Sequence, residues 1–258
     1  MPLIRASPIG MPMELLTTGN SAKLYCLNWL EARLKASTTP LTILDLGAGT
    51  AGNFVTLLRR YPTTHYTGVE PSAAACAEAR QRLTGLDAAI INAYAYDSVR
   101  AKLPFPQYDF VVSFSVLEHV YRRLDYLRLI RACLKPGGYA LVNYDSGHFQ
   151  HPDLKERIKT LVGPLLARVG NEAYYQSFVR EADFRRMAAQ AGLSIVEAKS
   201  FNTHLKGVYK HIPEGQRADF MERWLALEEW LNTSAGIDYT DDQAAHWFTR
   251  NFILQGKN

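Results

Sequence analysis

Cysteine is scarce in this 258-residue chain: Cys26, Cys76 and Cys133 stand far apart and are odd in number. There is no CxxC pair and no metal-ligand spacing, so neither a disulfide framework nor a structural zinc site is expected, and no metal. Long apolar runs are missing as well. No stretch approaches the ~20 residues that a membrane span requires. The opening residues hold Pro2, Arg5, Pro8 and Pro12 and lack the continuous apolar centre of a signal peptide. The expected location is therefore cytoplasmic. Charge runs are also absent. The formal charge is +4, but the basic residues lie in scattered pairs such as Arg59-Arg60 and Arg122-Arg123 rather than in a stripe. They read as solvated helix faces, and nucleic acid is not an expected partner.

What is present is alternation. Short apolar runs at 41–46, 65–70, 88–92, 108–114, 139–144, 193–200 and 247–255 have the length of strands. Between them lie helical stretches at 14–34, 53–60 and 71–83, one running through 133, one at 181–191 that Gly192 ends, and one around 220–231. Pro71 suits the first turn of its helix. Strands alternating with helices predict a doubly wound α/β fold, a mostly parallel sheet covered on both faces. The reading is one domain over 1–258. Residues 1–40 form a helical cap, 41–145 a core, and 148–180 and 202–240 two insertions over the sheet's carboxyl edge.

The most informative segment is Asp45-Leu46-Gly47-Ala48-Gly49-Thr50-Ala51-Gly52, which leaves a strand and opens a helix. Glycines here allow a tight turn and a close approach of ligand to backbone N–H groups. By spacing alone the segment would serve a dinucleotide equally well. Glu70 ends the next strand, where a carboxylate can accept the two hydroxyls of a ribose. Asp45 weighs against a dinucleotide, because an anion beside the turn repels pyrophosphate. It suits S-adenosylmethionine, which has no phosphate but carries a sulfonium and an ammonium.

With these residues in view the sequence resembles the class I S-adenosylmethionine-dependent methyltransferases. Leu44 to Thr50 is similar to the family's first motif, and Gly68-Val69-Glu70-Pro71-Ser72 to its second. Tyr108 to Ser113, running into Val116-Leu117-Glu118-His119-Val120, resembles the fourth. Leu134-Lys135-Pro136-Gly137-Gly138 resembles the turn before strand five. The resemblance implies a Rossmann-like seven-stranded sheet of order 3-2-1-4-5-7-6 with the last strand antiparallel. It implies that Gly47, Ala48 and Gly49 meet the cofactor by backbone, that Glu70, followed by Pro71, takes the ribose, and that Asp45 orients the amino-acid end. Ser113 and Phe114 would flank the cofactor. Where many relatives carry an acid that meets the adenine, this chain reads Asn92-Ala93. The Asn92 amide and the Ala93 N–H are the expected substitutes, with Asp97 an alternative.

Methyl transfer is an in-line displacement, so alignment matters more than a fixed catalytic motif. If a base is needed, the candidates are His148, Tyr144 and His119, with His151, Tyr174 and Tyr175 behind them. Tyr25 on the first helix is a further possible cofactor contact. The aromatics of the insertions, among them Tyr174, Tyr175, Phe220, Trp224 and Trp230, suit an apolar or aromatic small-molecule acceptor. The stripe around Trp224 would equally pack on the core or on a second copy in a homodimer. Transfer to RNA or protein, and cofactor binding without catalysis, are the competing readings.

Overall fold

Both alternating sets of residues in the central strands are apolar, as expected for a parallel sheet buried on its two faces. The computed structural model describes residues 20–145, 154–168, 172, 175–202, 205–234 and 248–257. Its strands are β1 (Thr42–Leu46), β2 (His65–Glu70), β3 (Ala88–Asn92), β4 (Tyr108–Phe114), β5 (Leu134–Asp145), β6 (Leu193–Asn202) and β7 (Phe248–Gly256). They form one seven-stranded sheet in the order β3-β2-β1-β4-β5-β7-β6. The first five strands pair in parallel, and β7 runs antiparallel to both its neighbours. The expected fold and strand order are thus observed.

Helices α1 (Ser21–Ala36), α2 (Val55–Arg60), α3 (Ala73–Arg82) and α8 (Arg217–Ser234) are tied to one face. There Leu27, Leu30, Phe54 and Trp224 pack with Ile43, Tyr66, Phe110 and Leu141. Helices α4 (Arg123–Cys133) and α6 (Glu181–Gln190) cover the other, where Leu127, Ile130 and Phe184 meet Leu44, Val111, Val142 and Phe252. Each fully buried side chain of this size contributes roughly 1.5–3 kcal/mol. Two further helices, α5 (Leu154–Arg168) and α7 (Leu205–Tyr209), fall in the two expected insertions. The three cysteines are buried and unpaired. Trp224, 2% exposed, packs on the core, whereas Trp230 at 55% stays at the surface. The buried Asn251 of β7 donates its amide to the Ala22 carbonyl, 2.7 Å away, tying the last described strand to the first described helix.

Local departures have local causes. Ser72, not Pro71, begins the third helix: its hydroxyl accepts from the Ala75 N–H, so Pro71 stands before the cap. The helix expected straight after β4 is broken into a 3₁₀ turn, Leu117–His119, followed by α4. Lys135-Pro136-Gly137-Gly138 is a bulge inside β5 rather than a turn before it. The register with β4 shifts between Tyr108 and Phe110, and Gly137 has φ +77°.

Candidate functional site

The carboxyl ends of β1, β2 and β4 meet around the glycine turn. Gly47 (φ +83°) and Gly49 (φ +54°) occupy the left-handed region. The N–H groups of Gly47 and Ala48 both donate to the Val69 carbonyl, at 2.8 and 3.1 Å, so their donors are committed to β2. Glu70 then closes the arrangement. Its carboxylate accepts from the Gly49 N–H at 3.0 Å and from the Ser72 N–H at 2.8 Å. Across the turn Ser115 adopts φ +56°, held by its N–H on the Asn143 carbonyl and side-chain oxygen at 3.1 and 2.9 Å. The following residue, Val116, is thereby laid over Gly47.

A cavity of about 390 Å³ opens beside this turn, a volume within the range of small-ligand sites. Gly47, Pro71, Tyr94, Tyr96, Val116 and His119 line it. Tyr94 and Tyr96 stack at 5.6 Å, and the Tyr96 hydroxyl bonds to Glu172, which lines the same cavity. A second groove of about 540 Å³ adjoins it, sharing Tyr96, Val120 and Tyr126.

Several expected contacts fall elsewhere. The Asn92 amide donates to the carbonyls of Glu70 and Pro71, at 3.0 and 2.9 Å, and the Ala93 N–H donates to the Glu70 carbonyl at 3.1 Å. Both brace the β2–α3 turn, and the cavity beyond them is walled by Tyr94 to Tyr96. Asp97 is exposed and paired with Arg100. Ser113 is buried, its hydroxyl 2.8 Å from that of Tyr126, so Tyr126 and not Ser113 reaches the cavity. Phe114 stacks on Phe54 in the core on the opposite face. Tyr144 is 1% exposed, wedged between Phe184 and Phe252, with a hydroxyl that has no partner among the described residues. Burial pushes that hydroxyl far above the ordinary phenol range, which removes Tyr144 as a base. Tyr25 donates to Glu197 on β6. His119 does face the cavity, with Nδ1 3.3 Å from the Tyr175 carbonyl oxygen. Tyr175 packs edge-on against Tyr121. His148, His151 and Tyr174 lie outside the described residues.

A cluster of charges beside the turn is not apparent from the sequence. Asp45, 3% exposed, accepts from the Tyr66 hydroxyl at 2.8 Å through one oxygen, while its other oxygen is buried without a partner among the described residues. Burial pushes its carboxyl up to about 7, against the opposing pull of Tyr66 and Lys23. Glu118 is fully buried, accepts from the Asp145 N–H at 3.2 Å, and has one oxygen with no partner among the described residues. Burial pushes it also up to about 7. Asp145 is bonded to Lys206 of α7. Lys23, on the first turn of α1, feels Asp45, Glu118, Asp145 and Lys206, and burial beside a second lysine lowers its pKa. Arg123 clamps this edge, donating to the carbonyls of Leu117, Ser177 and Phe178.

The donor set fits S-adenosylmethionine. A buried carboxylate oxygen without a donor beside a partly buried lysine matches a ligand that carries both an ammonium and a carboxylate.

The model of the methyltransferase domain matches residues 21–198. The chain belongs to the methyltransferase domain family. Solved structures with the same fold include a putative sarcosine dimethylglycine methyltransferase from Galdieria sulphuraria. It is 16% identical, with 90% of this chain and 84% of that chain covered and a TM-score of 0.55. A second is the magnesium protoporphyrin IX methyltransferase of Synechocystis PCC 6803 with bound S-adenosylmethionine, 12% identical, 92% and 80% covered, TM-score 0.53. A third is a [4+2]-cyclase, 16% identical, 91% and 82% covered, TM-score 0.54. At these identities the likeness is one of fold. No curated protein matches the sequence significantly. Among the described residues no helix is long and apolar enough to cross a membrane, and no group of three or more metal-ligating side chains occurs.

Proposed function

We propose that this methyltransferase-family chain moves a methyl group from S-adenosylmethionine to a small-molecule acceptor with an oxygen, nitrogen or carbon nucleophile. The observation that carries the reading is the Glu70 carboxylate, held between the Gly49 and Ser72 N–H groups and next in sequence to Pro71 and Ser72, which line the cavity. A carboxylate has about four acceptor sites, so two remain for a ribose diol. Tyr94 to Tyr96 would face the base. Asp45 and Lys23 offer the opposite charges that the ammonium and carboxylate of the amino-acid end require. When bound, the cofactor supplies a methyl already activated by its sulfonium.

The residues around it orient and shield. Gly47 and Val116 form a close-packed floor, Arg123 holds the segment at Ser177 and Phe178 over the edge, and Glu172 reaches Tyr96 across the cavity. Exclusion of water by a bound cofactor and acceptor would strengthen every charge interaction inside. His119 and His148 are the histidines we propose for a proton transfer where the acceptor needs one. An apolar or aromatic acceptor would fit the part of the cavity that Val116, Val120 and Tyr126 line.

Calorimetric titration of the purified chain with S-adenosylmethionine, its demethylated product and NADH tests the reading, repeated with Glu70→Ala. Binding of both sulfur ligands, weakened at least about tenfold by the substitution, is the expected result. Binding of NADH alone, or of nothing, would sink the proposal. Because a [4+2]-cyclase shares the fold, an acceptor screen with radiolabelled methyl must follow. Cofactor binding without transfer to any acceptor would leave a cofactor-binding protein of another role.

A further inference from the structure

Helix α5 turns its apolar side outward. Leu154, Leu161 and Leu165 are 74, 77 and 60% exposed, and Val162 is 38% exposed. The three leucines recur at i, i+7 and i+11, which places them in one line along the helix. The inward side is built from small residues, Gly163 and Ala167, both buried. An ordinary surface helix does the reverse, hiding its leucines and showing its polar residues.

The exposed side is also basic. Arg157 and Arg168 lie on it, and neither has an acidic partner among the described residues. Across Leu154–Arg168 the sequence holds Lys155, Arg157, Lys159 and Arg168 against the single acid Glu156. Leucines flanked by arginines, whose long stems can bury while their guanidinium groups stay in water, are the composition that lies in the headgroup layer of a membrane. Each basic residue near an anionic leaflet adds to the attraction. A copy of the same face would bring further arginines and no carboxylate to meet them, whereas lipid phosphates supply the missing charge.

The helix is also well placed. Its last residue, Arg168, precedes by four positions Glu172, which lines the cavity and bonds to Tyr96. We propose that α5 is a docking face for anionic lipid surfaces, seating the chain on a bilayer with the mouth of the cavity close to it. The inference goes beyond the proposed reaction and does not depend on it, since binding is read without turnover.

The test is co-sedimentation of the full chain with phosphatidylcholine vesicles, with and without phosphatidylglycerol, at several salt concentrations. The expected result is binding that requires phosphatidylglycerol and weakens as salt rises. The double variant Leu161→Asp, Leu165→Asp should lose affinity by roughly a hundredfold, about tenfold for each leucine withdrawn from lipid, with an unchanged melting curve. A second variant, Arg157→Gln with Arg168→Gln, should lose affinity for the anionic vesicles. Absence of binding, equal binding to both vesicle types, or full binding by the leucine variant would overturn the proposal. So would a wild-type dimer in solution that the leucine variant splits, because a second copy would then cover the face.

Discussion

Val116 stands where a side chain on Gly47 would have to go: a β-carbon built on Gly47 falls 2.3 Å from a Val116 methyl. The turn after β1 and the chain after β4 are therefore in close contact, although 69 positions separate them in sequence. Gly47→Ala should disturb both. The left-handed φ costs about 1–2 kcal/mol for a residue with a β-carbon, and overpacking adds about 1–3 kcal/mol. Thermal melting should show the loss, and cofactor titration should show affinity reduced at least about tenfold. Adding Val116→Ala should restore the part due to overpacking and leave the part due to φ. A single variant as stable as wild type would mean that the contact yields freely.

Asn92 distinguishes a brace from a base reader. Its amide donates to two carbonyls. Asn92→Ala should cost about 0.5–1.5 kcal/mol and weaken cofactor binding a few-fold through the displaced Glu70. Asn92→Asp should be worse than Asn92→Ala, since a carboxylate cannot donate and would face two carbonyl oxygens. If Asn92 instead accepts from the adenine amino group, Asn92→Asp will bind the cofactor at least as well as wild type. Calorimetry on the two variants decides.

Asp45 and Glu118 give the cofactor-free chain a pH dependence. Burial pushes both up to about 7, whereas unfolded carboxyls ionise near ~4. Between those values the folded chain holds more protons than the unfolded one. Stability without cofactor should therefore fall as pH rises from about 4 to about 7, and level off above. A cationic ligand favours the ionised forms, so cofactor affinity should rise over the same interval, with release of protons. Melting curves across that range, and calorimetry in two buffers of different ionisation enthalpy, check both signs. Asp45→Asn and Glu118→Gln should each flatten part of the slope; a flat wild-type profile would refute the account.

Glu228 anchors α8 to β6. Its carboxylate accepts from the Trp224 indole N–H at 2.7 Å and from the Asn202 N–H at 2.8 Å, while it is 1% exposed. Glu228→Ala would remove the acceptor that both donors share and should lower stability by about 2–4 kcal/mol. Glu228→Gln keeps an acceptor in place and should cost less. Denaturant unfolding measures the difference.

The strands were legible because each is a short apolar run between turn residues, and the bounds of β2, β3 and β4 agree with the pattern to the residue. The glycine turn and Glu70 were legible for a related reason, since they act within one local segment. What sequence did not reveal depends on contacts between distant segments. Lys23 looks like any lysine on a helix until α1 packs over Asp45. Tyr126 reaches the cavity because its hydroxyl crosses to Ser113. Tyr144 and Phe114 fit the expected edge by number, but the pleat of β4 and β5 turns them into the two cores.

Between β5 and β6 the sheet contains β7, the latest of the three in the chain. The two strands made earlier have no pairing with each other in the finished sheet; β5 gains its second partner, and β6 its first, only when residues 248–256 are in place. Until then a nascent chain would present open strand edges on β5 and β6, the kind that invites neighbouring chains to pair. Because Asn251 also fastens Ala22, the helix bearing Lys23 gains its last anchor at the same moment. Synthesis of the final strand is thus expected to complete the sheet and secure that wall of the site together. A ribosome stalled before β7 would hold a species suited to chaperones rather than to ligand.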